Sequence, residues 1–249
     1  AGGTDWGMTQ DQAKWWKPLG GVADEGSAKL SAEALHPGLL NWMAVQSLII
    51  TENGGFKILP QTEIWPLMRF VQEEGPIRVV INEEALERLY WVQGYQWVEN
   101  TDAAITMLMS DTIDPRRMCV VEENEKSKVA LQRVMAERNP VNAEVVGMTH
   151  WEVDTPEEVV VTVQADTPGI CVLADTYMSG WKVEVDGEQA TLLKVNGGFR
   201  GVALMAGEHT VRFVYQPVSF FVGLGLSLLT LAFLVVSGCY GLVAKPAWA

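Results

Sequence analysis

The sequence predicts an α+β fold with three parts. These are a mixed α/β region over residues 1–140, a small antiparallel β-sandwich (Ig/jelly-roll-like) over 141–217, and one transmembrane helix over 218–244. Residues 245–249 then form a cytoplasmic tail. Three observations lead to this prediction: helix and strand patterns are mixed in the first part, apolar and polar residues alternate in the second, and the third has no charged side chain.

Composition sets limits on the function. The chain has 249 residues and 48% hydrophobic content, which is ample for a core. It carries 18 basic and 31 acidic residues, a formal net charge of −13. Because this charge repels a phosphate backbone, we expect no nucleic-acid partner.

Helical and strand signals are mixed in the first part. Apolar residues recur at helical spacing in "EIWPLMRFVQEEG" (Ile64, Leu67, Met68, Val71) and in "NEKSKVALQRVMAERNP" (Val129, Leu131, Val134, Met135). Gly75 and Pro140 end these two predicted helices. Short apolar runs predict strands in "SLIITE", "PIRVVIN" and "MCVVEE".

Strict alternation predicts three half-buried strands in the second part. Their inward residues are Val159, Val161, Val163 and Ala165 in "VVVTVQAD", Trp181, Val183 and Val185 in "WKVEVD", and Val211, Phe213 and Tyr215 in "TVRFVYQ". Glycines at Asp186-Gly187, Asn196-Gly197-Gly198 and Ala206-Gly207-Glu208 suit tight hairpins, which need positive φ. Short strands with such turns indicate an antiparallel sandwich.

The uncharged segment 218–244 is long enough, at ~1.5 Å per helical residue, to cross a ~30 Å hydrocarbon core. Pro217 directly precedes this segment, a position that suits the start of a helix. Small residues lie on one helical face, which can admit another helix closely: Gly223, Ser227, Thr230, Ser237 and Gly241. The predicted partners are therefore the lipid bilayer and upstream transmembrane helices of a longer parent chain.

The residues that flank this segment predict its orientation. Lys245 follows it and a large acidic region precedes it, so the positive-inside tendency puts the C-terminus in the cytoplasm. The large acidic region that precedes the segment would then lie outside the cytoplasm. The chain begins "AGGTDWGMTQ", without an initiator Met or a signal-peptide pattern, and we expect it to be a fragment of a longer membrane protein.

Four residues are candidates for substrate binding, and His209 is a further cation with chemistry similar to that of one of them. Asp175, Tyr177 and Trp181 lie near a glycine turn and have the chemistry to hydrogen-bond and stack on a sugar. Arg200 has the chemistry to pair with a lipid phosphate near a membrane surface, as does His209. The alternative is purely structural: Trp181 lies in the core, Asp175 caps a turn, and the two cationic residues are exposed turn residues.

Other motifs predict no catalytic residue and no cofactor. "HWE", His150 to Glu152, has the His-x-Glu spacing of zinc deaminases but lacks their Pro-Cys-x-x-Cys, so we predict no metal site there. Cys119 and Cys171 are able to form a disulfide outside the cell, but lone cysteines in apolar strands are more often small buried hydrophobes.

The end of the sequence resembles YfhO-like bacterial membrane proteins. The resemblance rests on "LADTYMSGWKVEVDG", then "VNGGFRGVALMAGEHTVRFVYQP", then the hydrophobic span, and extends to "ALHPGLLNWMAVQSLIITE" and "DTIDPRRMCVVEE". It covers roughly residues 34–244. Two stretches depart from that family: Leu86-Glu87-Arg88 stands where Leu-Pro-Arg is usual, and Tyr177-Met178-Ser179 where Tyr-Tyr-Pro is more typical.

This resemblance implies a polytopic inner-membrane glycosyltransferase of the GT-C type. Such enzymes move a sugar from a polyprenyl-phosphate donor to a cell-envelope glycan, and their catalytic acidic residues lie in the first extracytoplasmic loops, outside this chain. Two other functions stay open: a non-enzymatic, membrane-tethered carbohydrate-binding or assembly module, and a structural cap on a transporter-like bundle.

Overall fold

A computed structural model of the chain describes residues 21–24, 27–30, 37–51, 68–74, 77–110, 112–136 and 148–243. Its helices are α1 (Pro37–Trp42), α2 (Thr101–Leu108), α3 (Glu125–Met135) and α4 (Val218–Val243). Its strands are β1 (Gly21–Asp24), β2 (Ser27–Leu30), β3 (Ser47–Thr51), β4 (Met68–Glu74), β5 (Ile77–Asn82), β6 (Leu89–Val92), β7 (Gly94–Val98), β8 (Met118–Glu122), β9 (Met148–Asp154), β10 (Glu158–Ala165), β11 (Gly169–Thr176), β12 (Trp181–Val185), β13 (Glu188–Ala190), β14 (Leu193–Val195), β15 (Phe199–Leu204) and β16 (Gly207–Tyr215).

One sheet of the sandwich has five antiparallel strands in the order β13-β12-β16-β10-β9. The predicted alternation is confirmed, because the inward residues of β10 are buried and those between them are only partly buried. In β16, Val211 and Phe213 are buried in the same way, whereas Tyr215 is only partly buried. In β12, Val183 is buried and the other two predicted inward residues, Trp181 and Val185, are partly buried. Every second side chain of these strands therefore points into the core.

The other sheet has six strands in the order β6-β11-β15-β14-β8-β7, and β7 and β8 run parallel. Helix α2 lies in the connection between these two strands, as a parallel pair requires a crossover. The sheet takes three strands from before residue 140 and three from after it. The two parts of the sequence on either side of that residue thus share one sheet, and the division there as a domain boundary stays a prediction.

The two sheets enclose the main core. Val161, Phe213 and Val183 of the five-stranded sheet pack with Leu173 and Val202 of the six-stranded sheet. Helices cover the outer face of the six-stranded sheet: Leu131 of α3 belongs to a second buried cluster with strands β8, β11 and β14. The predicted fold class is confirmed, with an α+β arrangement, a five-stranded antiparallel sheet and a C-terminal apolar helix.

Helix α3 confirms the predicted helix but ends at Met135, and Pro140, which we expected to end it, lies outside the described residues. Asn124 caps it by accepting a hydrogen bond from the Ser127 N–H at 2.9 Å, and Leu131 and Val134 are buried. Val129, which we expected on the apolar face, is 65% exposed.

The glycine turns have the conformations that the sequence predicts. Asp186 and Gly187 have φ of 54° and 83°, as a two-residue hairpin turn requires. Asn196 and Gly197 also have positive φ, 46° and 72°. Asn196 is buried there, its amide oxygen accepts from the Val120 N–H at 2.9 Å, and the turn thereby ties β14 to β8.

The predicted helix around residues 63–75 is wrong where the structure describes it. Met68–Glu74 is strand β4, which pairs antiparallel with β5, and β5 pairs on its other side with β3. Met68 and Val71 therefore lie in a strand, while Ile64 and Leu67 fall outside the described residues. Ladder pairing with β5 overrides the local helical spacing. The strands predicted from "SLIITE", "PIRVVIN" and "MCVVEE" are confirmed as β3, β5 and β8.

Helix α4 is long and apolar enough to cross a membrane over Val218–Ser237, and none of that stretch is buried by the rest of the chain. The hydroxyls of Ser227 and Thr230 donate to the carbonyls of Gly223 and Leu226, each at 2.9 Å, so they need no outside partner. A Cβ on Gly223 would meet nothing within 4 Å, and Gly241 lies in the last turns of the helix. Packing of this small-residue face against other helices stays a prediction.

Candidate functional site

The candidate residues gather at one end of the sandwich, beside the start of α4. Strand β11 ends there, β12 and β15 begin there, and β16 ends there at Tyr215, three residues before Val218 opens the helix. We call this the helix-proximal end. Gly180 holds the junction, because its carbonyl accepts from the Gln216 N–H at 2.7 Å and a Cβ there would lie 3.1 Å from Pro217.

Two arginines share one carboxylate at this end. Asp175 accepts hydrogen bonds from Nε and Nη2 of Arg88, both at 2.8 Å, and from Nη2 of Arg200 at 2.7 Å. Arg88 also donates from Nη1 to Asp154 at 2.8 Å. These four side chains form the arginine–aspartate cluster, whose two positive and two negative charges cancel.

Aromatic rings cover both guanidinium groups. The guanidinium carbon of Arg200 lies 3.7 Å from the ring centroid of Trp181 and 5.6 Å from that of Phe213. The guanidinium carbon of Arg88 lies 5.0 Å from the ring centroid of Trp151. Such stacking attracts a cation to the negative face of the ring and shields it from water.

Arg200 is the most deeply buried charge of the cluster, with 3% of its surface exposed. Burial lowers the pKa of its guanidinium to about 10, while Asp175 opposes that effect, so the group remains protonated at neutral pH. Its Nε and Nη1 are buried without a hydrogen-bond partner among the described residues. Hydrogen bonding to Asp175 raises the pKa of Arg88.

The structure brings three of the four predicted site residues together, namely Asp175, Trp181 and Arg200. Tyr177 lies next to them in the loop after β11, where its N–H donates to the Gly198 carbonyl at 2.7 Å. The ammonium nitrogen of Lys194 lies 5.9 Å from the ring centroid of Tyr177.

Several structural alternatives from the sequence are wrong. Arg200 is a buried residue of β15 and not an exposed turn residue, and Asp175 binds two arginines instead of capping a turn. His209 lies in β16, where its Nδ1 is 2.7 Å from Asp186 Oδ2. This hydrogen bond lowers the pKa of Asp186 and stabilises the hairpin after β12, away from the cluster. Trp181 is half-buried and packs against the core, as the structural alternative expects.

Sequence reasoning missed Arg88, Asp154 and Trp151. A signal for Arg88 was present, because Leu86-Glu87-Arg88 keeps the arginine of the Leu-Pro-Arg pattern that is usual in YfhO-like proteins. Arg88 stands directly before β6, which places its side chain at the helix-proximal end.

A cleft with a volume of about 350 Å³ opens beside the cluster. One wall is the loop after α1 and the other is Arg88 with the end of β11. Its lining consists of Met43, Ala44, Val45, Gln46, Ser47, Arg88, Ala174 and Asp175.

The remaining reactive residues are dispersed. Among the residues that the structure describes, no three His, Cys, Asp or Glu side chains come together in a way that could hold a metal ion. Cys119 and Cys171 are free and buried, and burial raises the pKa of both thiols, that of Cys171 to about 12. They are small hydrophobic residues of the core and not a disulfide.

Comparison with known proteins finds one family model that matches part of the chain. Residues 123–227 match the family model described as "Bacterial membrane protein YfhO". No curated protein and no solved structure matches the chain. The matched region contains α3, strands β9 to β16 and the first residues of α4, and so includes Asp154, Asp175 and Arg200. The resemblance seen in the sequence is confirmed over residues 123–227, which are similar to the YfhO family of bacterial membrane proteins.

Proposed function

We propose that this chain is the C-terminal extracytoplasmic domain and last membrane helix of a polytopic glycosyltransferase. The enzyme uses polyprenyl-phosphate sugars and acts on cell-envelope glycopolymers, and its catalytic region lies outside the chain. The match of residues 123–227 to a family model of bacterial membrane proteins supports the membrane location, and the GT-C character that the YfhO resemblance implies supports the reaction class.

One observation carries this proposal: the arginine–aspartate cluster lies at the end of the sandwich that adjoins α4. If α4 crosses the bilayer, this end faces the membrane surface. A lipid-linked donor sugar and a growing glycan meet at that surface. The sandwich would therefore cover the membrane bundle and line the acceptor path with Asp175 and Tyr177, while Trp181 and the buried Arg200 hold Asp175 in place.

The bonding of Asp175 supports a binding role for it and not proton transfer. Three N–H donors from two arginines already engage its carboxylate and hold it in one orientation, as a group that positions a ligand requires. The stacked rings likewise favour positioning, because Trp181 fixes Arg200 and Trp151 fixes Arg88. The chemical step of sugar transfer would then be carried out by the catalytic region upstream of this chain.

A non-enzymatic carbohydrate-binding or assembly module is the second candidate. It is favoured by the cleft beside Asp175, because a cleft of this size can bind a glycan without any catalytic group. The two candidates differ in whether the full-length protein turns over a donor.

The orientation is tested by reporter fusions. We expect a fusion after Trp248 to report the cytoplasm and a fusion near Gly187 to report the outside, because Lys245 follows the span and the acidic bulk precedes it. The reverse pattern would overturn the extracytoplasmic placement of the sandwich.

The positional role is tested at Tyr177, whose hydroxyl makes no hydrogen bond with another described residue. In the full-length enzyme, Tyr177→Phe should raise KM for the acceptor about 3-fold to 10-fold, the equivalent of one lost hydrogen bond. The values of kcat and of KM for the donor should stay unchanged.

Tyr95→Phe is the matched control, since Tyr95 is also half-buried but stacks on Trp97 in β7. It should leave all three parameters unchanged. A changed KM for the donor in Tyr177→Phe, or equal effects in the two variants, would rule out an acceptor path at the helix-proximal end.

A further inference from the structure

The cleft beside the arginine–aspartate cluster has one wall that the fold holds in place. Asn82, which is buried, donates from its backbone N–H to the Gln46 carbonyl at 2.9 Å and from Nδ2 to the Val45 carbonyl at 3.1 Å. Nδ2 also donates to Asn41 Oδ1 at 2.8 Å. Ala44 turns the chain with φ of 54°, in the left-handed region. The loop that carries Gln46 is thus fixed before any ligand arrives.

The second wall offers both donors and an acceptor. Arginine has five N–H groups, and Arg88 uses three of them on Asp175 and Asp154, which leaves two. A carboxylate has about four lone-pair sites, and Asp175 uses three, which leaves one. The two side chains keep 41% and 20% of their surfaces exposed, so these groups are reachable from the cleft.

The first wall, which faces Arg88 and Asp175, supplies complementary groups. The side chains of Gln46 and Ser47 are exposed and make no hydrogen bond with another described residue. Met43 and Val45 add apolar surface next to them. A volume of about 350 Å³ lies at the lower end of the ~300–1,000 Å³ range of ligand sites, which suits a small polar ligand.

Charge decides the class of ligand. The four charges of the cluster cancel, and the free groups are donors and acceptors side by side. An anion would meet the carboxylates of Asp175 and Asp154, and a cation would meet two guanidinium groups. Neighbouring hydroxyls on a neutral ring, in contrast, both donate and accept, and the C–H face of the ring can lie on Met43 and Val45.

We propose that this cleft binds one neutral sugar residue of a glycan, with Gln46, Ser47, Arg88 and Asp175 as its hydrogen-bonding partners. This site deepens the proposed function, on which it rests, because it assigns where the acceptor glycan is held. Arg200 does not touch the sugar and is a positioning residue, since it fixes Asp175 from the buried side.

The test is direct binding to the purified chain, residues 1–249, in a zwitterionic detergent that has no sugar head group. The probes are the methyl glycosides of glucose, galactose and N-acetylglucosamine, with glucuronic acid and glucose 1-phosphate as anionic counterparts. Binding is followed by saturation-transfer difference NMR and titration. The variants are Gln46→Ala and, as a matched control on the exposed strand β13, Gln189→Ala.

At least one neutral methyl glycoside should bind, and more tightly than its anionic counterparts. Gln46→Ala should raise its Kd about 3-fold to 10-fold, the equivalent of one hydrogen bond, and Gln189→Ala should leave Kd unchanged. Absence of binding by all neutral probes, tighter binding of an anionic probe, or equal Kd values in Gln46→Ala and wild type would each overturn the proposal.

Failure here is distinguishable from failure of the proposed function. If no sugar binds but the full-length protein transfers sugar, only the assignment of this cleft is wrong. If the cleft binds sugar and the full-length protein transfers none, the glycosyltransferase role is wrong and the cleft belongs to a carbohydrate-binding module.

Discussion

Asp175→Asn is expected to lower the free energy of unfolding by about 3–5 kcal/mol, the range for breaking a buried ion pair by removing one partner. The reason is that Arg200, 3% exposed, would keep its charge without a counter-charge. Arg88 would lose its bidentate partner at the same time. The measurement is urea denaturation of the detergent-solubilised chain, followed by tryptophan fluorescence.

Asp186→Asn is the matched control, because it makes the same chemical change on a carboxylate that is 52% exposed and paired with His209. Its cost should be below about 1 kcal/mol, as for exposed ion pairs. Adding Arg200→Met to Asp175→Asn should recover part of the loss, since the buried charge is then gone. Equal losses for the two aspartates would show that the cluster contributes no more than a surface pair.

Trp181→Ala should lower the free energy of unfolding by about 3 kcal/mol, the lower end of the range for truncating a packed tryptophan, because the side chain is half-buried. The substitution removes packing against the core, the stack on Arg200 at 3.7 Å and the ring contact with Tyr215 at 5.4 Å. Thermal and urea unfolding of the same detergent-solubilised chain give this value.

Trp181→Phe is the control that keeps an aromatic face over Arg200, and it should cost less than half as much as Trp181→Ala. A Trp181→Ala protein that is as stable as wild type but has lost sugar binding would contradict this account. Trp181 would then be a platform for the ligand and not a support for Arg200.

Local patterns of the sequence were sufficient for the parts of the fold that depend on neighbours along the chain. Alternation in β10 and β16 predicts which side chains are buried, because a strand places successive residues on opposite faces. Asp186-Gly187 predicts its hairpin, because both residues need positive φ. The uncharged run predicts α4, because composition and length alone decide whether a helix can span a bilayer.

Features of the fold that depend on pairing between segments distant in the sequence could not be predicted from local patterns. Met68–Glu74 has helical spacing but forms β4, because β5 supplies a ladder that the local pattern does not contain. The six-stranded sheet joins β6 to β11 across a long stretch of chain, so its strand order cannot be deduced from periodicity.

The candidate site shows the same limit. Arg200 and Asp175 were recognisable by residue type, but their ion pair depends on the pairing of β15 with β11. Arg88 lies 87 residues from Asp175 in sequence, and nothing between them indicates that they meet. Because the fold brings Arg88 and Asp175 together, they form one wall of the cleft.

A sugar-transfer assay tests the central claim most directly. Transfer from a polyprenyl phosphate needs a base, groups that hold the donor phosphate and a membrane cavity for the lipid, and a single helix cannot enclose such a cavity. The purified chain and the full-length parent protein would be compared in detergent, with a panel of polyprenyl-phosphate sugars and envelope glycan acceptors. We predict turnover by the full-length protein and none by residues 1–249. Turnover by the isolated chain, or an inactive full-length protein, would contradict the account.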